Sequence, residues 1–482
     1  MGIDCGTTGI RVVIYDDDGS SRGVGKSSFN SKRPYRGYSE QDPAEWWNGL
    51  KTSIRMAING LSRDEIKEIK AIGVTATGPS LVFADEFGNP IRPCMMWDDI
   101  RATECVQDLN LNHESLVAKA LWASINVPED FEKSKVLCDA TEWLIWKLTG
   151  KLSVNKLSNF PIADQLKLID ENSRMAISCR LPKHEVEVGG IAGQLLPEEA
   201  ERLNLPPGIP IINATRDAFV YGLSLGLIDR RSIGCVGGSS NLVQAMTDEE
   251  KMDLRTANFY PPGILHPRYS LISGAHYSGI VWDWWKNFRG DFIKSDLQKA
   301  DEIPAGSSGI VFSEWFHGNR MPWRDPYLTG SIWGLSLHHR PEHIARSILE
   351  GIAFGTRLIF DEIASIPAMR NREVRVTGGL TNIPLYNKIL ASVLNRPLTI
   401  VKTASGSAAG AAIFAAQAVG MNRLVHMEHP TFVVEPDEQH AKIYNQFFSY
   451  YVETADRMKG LMHKISKATF GKGGRSNESC RI

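Results

Sequence analysis

Apolar and polar positions near the start of the chain fall into short runs around a glycine-rich loop. Ile10 to Tyr15 is a β-branched run, Asp16-Asp17-Asp18-Gly19 supplies turn residues, and Gly23 to Phe29 runs back. That is the pattern of a β-hairpin. Ahead of it, only Gly2 and Ile3 lead into Asp4. The first strand is therefore either very short or begins upstream. Trp46, Leu50, Ile54 and Ile58 then recur at helical spacing. Asp42 suits the N-cap of this helix, Pro43 its first position and Glu45 its first turn, and Gly60 ends it. Ala71 to Thr75 and Leu81 to Asp85 read as strands, the second running into the turn Asp85 to Pro90.

Further on, Ile209 to Asn213 is an apolar strand with a polar tip ending at Asp217, and Ala218 to Leu227 reads as a helix. Ser232 to Gln244 repeats the opening element: strand, glycine–hydroxyl loop, strand. Gly6-Thr7-Thr8-Gly9 and Gly237-Gly238-Ser239-Ser240 thus head two similar halves, which points to a duplicated α/β lobe. The second half continues with a helix from Pro341 to Ile366 and a strand Glu373–Thr377. A helix Pro384–Asn395, a strand Leu398–Val401 and a small-residue helix after Gly406 follow. A last amphipathic helix runs from Pro436 to Lys464. The Gly-, Ser- and Lys-rich tail, Lys467 to Ile482, is expected to be disordered. Strands alternating with helices place the chain in the α/β class.

At 482 residues, two or more domains are expected. Apolar residues make up 43% and charged residues 23%, too apolar for disorder over the bulk of the chain. Lys plus Arg is 54 and Asp plus Glu 55, a net charge of −1. That balance argues against a nucleic-acid or membrane-surface protein, which needs a basic excess. The uncharged stretch from Thr403 to Asn422 is long enough to suggest a membrane span. Its Gly, Ala and Ser content instead fits a helix packed closely against a sheet. No secretory pattern opens the chain. The seven cysteines are scattered without C-x-x-C spacing, so free thiols in a reducing cytoplasm are expected.

Several loops carry candidate chemistry. Glycines let backbone amides approach an oxyanion, hydroxyls add donors, and a nearby carboxylate can hold Mg²⁺. Asp4, Gly6, Thr7 and Thr8 combine these features, and Arg11 adds charge near a phosphoryl group. The plain alternative is a strand–turn–strand with a Gly-Thr tip. Asp217 ends a strand, where ligands bind in open α/β sheets, and could act as a general base. Taken alone, the residue fits a cap for the helix that follows better than a base. Gly378-Gly379 sits between strand and helix, suited to a flat base or to a simple turn. Trp97 could stack on a sugar or sit in the core. His338, His339 and His343 fit surface or packing roles better than metal binding.

Taken in order, these motifs resemble the FGGY carbohydrate kinases, a family that includes xylulokinases, gluconokinases, ribulokinases and glycerol kinases. Met1 to Thr8 resembles the family's first phosphate motif, and Trp97-Asp98-Asp99-Ile100-Arg101 its W-x-D-x-R segment near the sugar. Arg216-Asp217-Ala218 to Gly226 is similar to the segment with the catalytic aspartate, and Gly237 to Ser240 to the second phosphate motif. Gly318 to Pro322, Glu350-Gly351 and Thr377-Gly378-Gly379 complete the order. The resemblance implies an actin-like ATPase fold of two ribonuclease-H-like lobes with an interlobe cleft. Residues 1–228 would form the sugar-binding lobe and 229–425 the nucleotide-binding lobe. A helical segment, 426–466, and the tail, 467–482, would follow.

The same resemblance implies ATP-dependent phosphorylation of a small carbohydrate, a ketopentose first, with an aldonate or polyol as alternatives. Asp217 would be the base and Asp4 a Mg²⁺ ligand. Gly6, Thr7, Thr8, Arg11, Gly238, Ser239, Gly378 and Gly379 would hold the nucleotide. Thr77, Gly78, Trp97, Asp99, Arg101 and Asp217 would meet the sugar. ATP and the sugar are the implied partners, with no nucleic acid and no membrane; homodimers are common among relatives. The chain departs from the family at Thr75-Ala76-Thr77-Gly78-Pro79-Ser80, where xylulokinases carry Gln–Met–His–Gly and gluconokinases Met–His–Ser. A catalytically weak, kinase-derived sugar-binding or regulatory protein is the alternative this raises. An actin- or Hsp70-like ATPase is disfavoured by the Trp97–Arg101 and Gly318–Pro322 matches.

Overall fold

The computed structural model describes residues 1–159, 161–227, 231–249, 258–260, 269–275, 277–402, 406–426 and 429–469. They divide into two compact units. The first holds residues 1–226 and 404–428, the second 227–403 and 429–469.

The first unit is built on six strands: β1 (Gly2–Gly6), β2 (Gly9–Tyr15), β3 (Ser21–Ser28), β4 (Ile72–Ala76), β5 (Ile191–Gln194) and β6 (Pro210–Arg216). Their order across the sheet is β3-β2-β1-β4-β6-β5. β1, β2 and β3 form the antiparallel meander that the hairpin pattern predicts. β4 and β6 run parallel to β1, and β5 closes the edge antiparallel. β1 has five residues even so, because Gly2 and Ile3 pair with both β2 and β4. Ile3, Val12, Val74, Ile211 and Ile212 are fully buried and make the sheet a two-sided core. The helix Pro43–Ile58 starts where its signals say: the Asp42 carboxylate accepts the Ala44 N–H at 2.9 Å.

A smaller antiparallel sheet in this unit joins Glu40–Gln41, Cys94–Met95, Leu81–Ala84 and Val136–Asp139. It carries the turn after β4 and the segment beginning at Trp97.

The second unit repeats the first. Its strands are β7 (Ser232–Gly237), β8 (Asn241–Thr247), β9 (Asn258–Tyr260), β10 (Tyr269–Ala275), β11 (Glu373–Thr377), β12 (Leu398–Val401) and β13 (Thr431–Val434). The order is β9-β10-β8-β7-β11-β12-β13. Again a meander is followed by two strands parallel to its first strand and an antiparallel edge. Apart from the extra edge strand β9, the two sheets share strand order and direction, the duplication expected from the two glycine–hydroxyl loops. The antiparallel edge strand precedes the last parallel strand along the chain in the first unit (β5 before β6) and follows it in the second (β13 after β12). The helix Pro341–Ser365 buries one face against this sheet through Ile348, Ile352 and Ile359.

Two boundaries differ from the sequence reading. The small-residue helix, Ser407–Ala418, was placed with the second lobe (229–425) but packs in the first unit. Its alanines lie against strand backbone: a Cβ added at Gly73 would stand 2.0 Å from the Ala411 carbonyl. Only a glycine facing small residues allows that approach. The last helix, Glu438–Thr469, outruns the expected end at Lys464, so Lys467 to Thr469 are helical. Residues 470–482 of the expected tail, 228–230 at the expected lobe boundary, and 403–405 lie outside the described residues.

Candidate active site

Asp217 stands at the carboxyl end of β6, where the chain turns into the helix Asp217–Ser224. The helix starts one residue earlier than expected, and Arg216 occupies the cap position without a side-chain capping bond. Asp217 is half-buried, and among the described residues its Oδ1 accepts only the adjacent Ala218 N–H, at 2.7 Å. Burial drives its carboxyl well above the usual carboxylate range. The charges of Asp4 and Asp139 add to this, while the Ala218 amide and Arg216 oppose it.

Asp4 is the fourth residue of the chain and lies on β1, opposite Arg11 of β2 and beside Thr75 of β4. It is buried, and burial raises its carboxyl pKa against the pull of Arg11 and Ser407. Among the described residues, its Oδ1 and the buried Ser407 hydroxyl make no hydrogen bond of good geometry, although Ser407 lies near enough to lower the Asp4 pKa. A buried carboxylate in the field of a second one, Asp217, is suited to a hard cation. Among the described residues, no three acidic, His or Cys side chains converge to cage a metal. Tyr221 belongs here too, its hydroxyl pKa pushed up by burial and then by Asp4 and Asp217. Its position four residues after Asp217, on the same helix face, was the available signal. Ser407 comes from a distant segment and had none.

The loop after β1 divides its hydroxyls. Gly6 pairs with Gly9 at the hairpin tip, and Thr8 is exposed. Thr7, expected at the phosphates, is buried instead. Its hydroxyl accepts the Trp97 indole N–H at 3.0 Å and lies 3.5 Å from the Thr77 hydroxyl.

Trp97 is only 4% exposed, the core alternative rather than an open stacking face. Asp99 and Arg101, expected at the sugar, are both buried and spend their groups on each other. Arg101 Nε donates to both Asp99 oxygens, at 2.9 and 3.0 Å. Its Nη1 reaches Glu40 at 2.8 Å, and its guanidinium stacks 3.6 Å above the Tyr38 ring. Such a desolvated, bidentate pair is a brace for the Trp97 segment.

The turn after β4 is equally closed. The buried Thr77 donates its N–H to the Cys5 carbonyl at 2.9 Å. At Gly78 there is no room for a side chain, since a Cβ would fall 2.8 Å from Arg216 Cδ and from Asp139 Oδ2. Asp139 joins these pieces: its oxygens accept the Ser80 N–H at 2.8 Å and Arg216 Nε at 2.5 Å. Lys119, fully buried, donates to the Pro79 and Met96 carbonyls at 2.7 Å each, and burial lowers its pKa to about 8. Neither Asp139 nor Lys119 was marked by any sequence motif.

In the second unit, Gly238, Ser239 and Ser240 are half-buried at the turn between β7 and β8. The Gly279 and Ser278 amides donate to the Gly238 and Ser239 carbonyls, at 2.8 and 3.1 Å, and pin the loop. Gly378 follows β11 with φ +111°, and a Cβ there would lie 2.3 Å from the Gly237 carbonyl. The structure thus brings Gly238, Ser239, Gly378 and Gly379 to one end of the sheet, with open space above Gly379. His338, His339 and His343 cluster at the start of the helix Pro341–Ser365. Ser336 bonds His338 and His339, and the Arg340 N–H bonds His343.

Two sheets of one ribonuclease-H-like strand order and direction, each headed by a glycine–hydroxyl turn, define the class: an actin-like ATPase fold. Family models narrow it. Residues 1–221 match the N-terminal domain and residues 233–419 the C-terminal domain of the FGGY family of carbohydrate kinases. The chain belongs to that family and is a phosphotransferase of the FGGY sugar-kinase type. It is 24% identical to a xylulose kinase of Lactococcus lactis subsp. lactis, over 96% of this chain and 98% of that protein. It is 22% identical to a gluconokinase of Bacillus subtilis, over 96% and 99%. Among solved structures, the ligand-bound xylulose kinase and the gluconate kinase of Lactobacillus acidophilus each superpose with a TM-score of 0.76. Each is 22% identical and covers 96% of this chain and 99% of the other. Kinases of this family use ATP as the phosphoryl donor. Among the described residues, no helix is long and apolar enough to cross a membrane.

Proposed function

We propose that this chain transfers the γ-phosphoryl group of ATP to a hydroxyl of a small carbohydrate, a ketopentose before an aldonate or polyol, with Asp217 as general base. The observation that carries this reading is the placement of two carboxylates in one unit, Asp217 at the end of β6 and Asp4 on β1, near enough that the Asp4 charge raises the Asp217 pKa. Among the described residues, Asp4 has a buried oxygen that makes no hydrogen bond of good geometry. Asp217, with a raised pKa, accepts the proton of the substrate hydroxyl. The alkoxide attacks the γ-phosphorus, the bond to the β–γ bridging oxygen breaks, and ADP leaves. Asp4 would hold Mg²⁺, which neutralises phosphate charge when bound. Gly6, Thr8 and Arg11 serve the phosphates in this reading. Gly238, Ser239, Gly378 and Gly379 receive the rest of the nucleotide. Thr7, Trp97, Asp99 and Arg101 act behind the sugar surface, because their polar groups are spent on one another.

The test is ADP release with Mg²⁺–ATP across a panel of ketoses, polyols and aldonates, with Asp217→Asn as control. One sugar giving turnover that the variant loses supports the reading. A second reading, a sugar-binding or regulatory protein with weak catalysis, is favoured by one feature. The turn Thr77-Gly78-Pro79 offers no long side-chain donor, and Arg216 fills the space at Gly78. ATP binding without turnover on any sugar would select it.

A further inference from the structure

Two residues ahead of Asp217 the backbone of β6 leaves the extended region. Thr215 has φ +61°, a left-handed conformation that crowds a β-branched side chain. The pairing with β4 shifts at the same point. Asn213 lies beside Val74 and Arg216 beside Ala76, three steps on one strand against two on the other. Such a bulge re-aims the residues that follow it.

Side chains hold the bulge. The Thr215 carbonyl accepts the Thr75 hydroxyl at 2.7 Å and the Thr141 hydroxyl at 3.2 Å. The Thr215 N–H donates to the Asn213 side-chain oxygen at 3.0 Å, and its hydroxyl to Asn155 Oδ1 at 3.3 Å. Asn155 Nδ2 closes the ring onto Asn213 at 3.2 Å. All five residues are fully buried. Water cannot replace these donors, so a lost hydroxyl leaves a carbonyl under-satisfied beside a strained residue. Thr75 is also the β4 neighbour of Asp4. One strand position therefore braces the backbone next to both carboxylates.

We infer that Thr75 and Thr141 are positioning residues for phosphoryl transfer: their hydroxyls hold the Thr215 carbonyl, lock the bulge and so aim the Asp217 carboxylate. The inference rests on Asp217 being the base proposed above. Neither threonine touches substrate. Their effect reaches the reaction through geometry, where a displacement of about 1 Å can cost about 10²-fold in rate.

Steady-state kinetics on the full chain test this, with Mg²⁺–ATP and the sugar that gives turnover. The variants are Thr75→Val, Thr75→Ser, Thr141→Val and Asp217→Asn, each with its thermal midpoint. Thr75→Val is expected to lower kcat about 10- to 100-fold with the KM for ATP within about twofold. Thr75→Ser is expected to restore most of the loss, and Thr141→Val, which removes the longer bond, to lower kcat less. Wild-type kcat in Thr75→Val with an inactive Asp217→Asn overturns the positioning role and leaves the base intact. Equal losses in Thr75→Val and Thr75→Ser also overturn it, since the hydroxyl is then not the cause. Should Thr75→Val fail to fold, Thr141→Val decides, and an undiminished kcat there overturns the inference. Wild-type kcat in Asp217→Asn overturns the base itself, a result separable from the others.

Discussion

At the scale of single residues, the proposed reading gives Asp217 the part of base and Asp4 that of cation ligand. Asp217→Asn keeps the shape and the bond to the Ala218 amide but accepts no proton. It is expected to lower kcat by about 10²- to 10⁴-fold with little change in the KM for ATP, read by coupled ADP release. Asp4→Asn removes a charge rather than a base. Its expected signature is a higher Mg²⁺ concentration for half-maximal rate, with part of the activity recovered at saturating Mg²⁺. An Asp4→Asn variant with an unchanged Mg²⁺ dependence would remove Asp4 from the cation site. Both aspartates were legible in the sequence, because a carboxylate beside a glycine–hydroxyl loop and one at a strand end are local patterns. The inward turn of Thr7 was not. Its hydroxyl and that of Thr8 are equivalent along the chain, and only the packing of Trp97 from about 90 residues away gives them different partners.

At the scale of elements, small residues decide how closely helix and strand approach. The helix Ser407–Ala418 lies so near β4 that a methyl group at Gly73 meets the Ala411 carbonyl. Gly73→Ala is expected to destabilise the chain by about 1–3 kcal/mol, the cost of overpacking. Gly60, with nothing within 4 Å of an added Cβ, is the control. Urea midpoints check both: Gly73→Ala lowers the midpoint at constant slope and Gly60→Ala does not. A midpoint unchanged in Gly73→Ala would mean that the helix moves away at no cost. Most elements could be read from periodicity. The hairpin, the helix after Pro43, the strand Glu373–Thr377 and the strand Leu398–Val401 fall where the pattern put them. The unit to which the helix Ser407–Ala418 belongs could not be read. A helix apolar all round carries no direction, and its partner strands lie more than 300 residues earlier.

At the scale of the whole molecule, each unit buries a carboxyl group in its framework. Glu142 in the first unit and Glu314 in the second are both pushed from 4.5 up to about 8 by burial. Glu314 accepts the Tyr451 hydroxyl at 2.9 and 3.0 Å, tying the last helix to the second core. An acid whose folded pKa is raised binds its proton more tightly when folded. Its contribution is complete below about pH 4.5 and is lost as pH rises towards 8. The protein is therefore expected to unfold at a lower temperature at pH 8 than at pH 5. Glu314→Gln, neutral at every pH, should flatten that decline. Calorimetry at several pH values reads both, and an equal slope in Glu314→Gln would assign the pH dependence elsewhere.

By itself the sequence determined the class of fold, the duplication, the family and the two acidic positions. Each of these is written in short-range order: strand and helix periods, caps, and ordered motifs that each span a few residues. The tertiary structure decided which polar groups stay open and which close on one another. Asp99 and Arg101 are spent as a buried pair, Gly78 gives its space to Arg216, and Thr75 reaches the Thr215 carbonyl across 140 residues of chain. The physical reason is that a hydrogen bond or a steric limit depends on distances of a few ångströms between segments. Spacing along the chain does not record those distances.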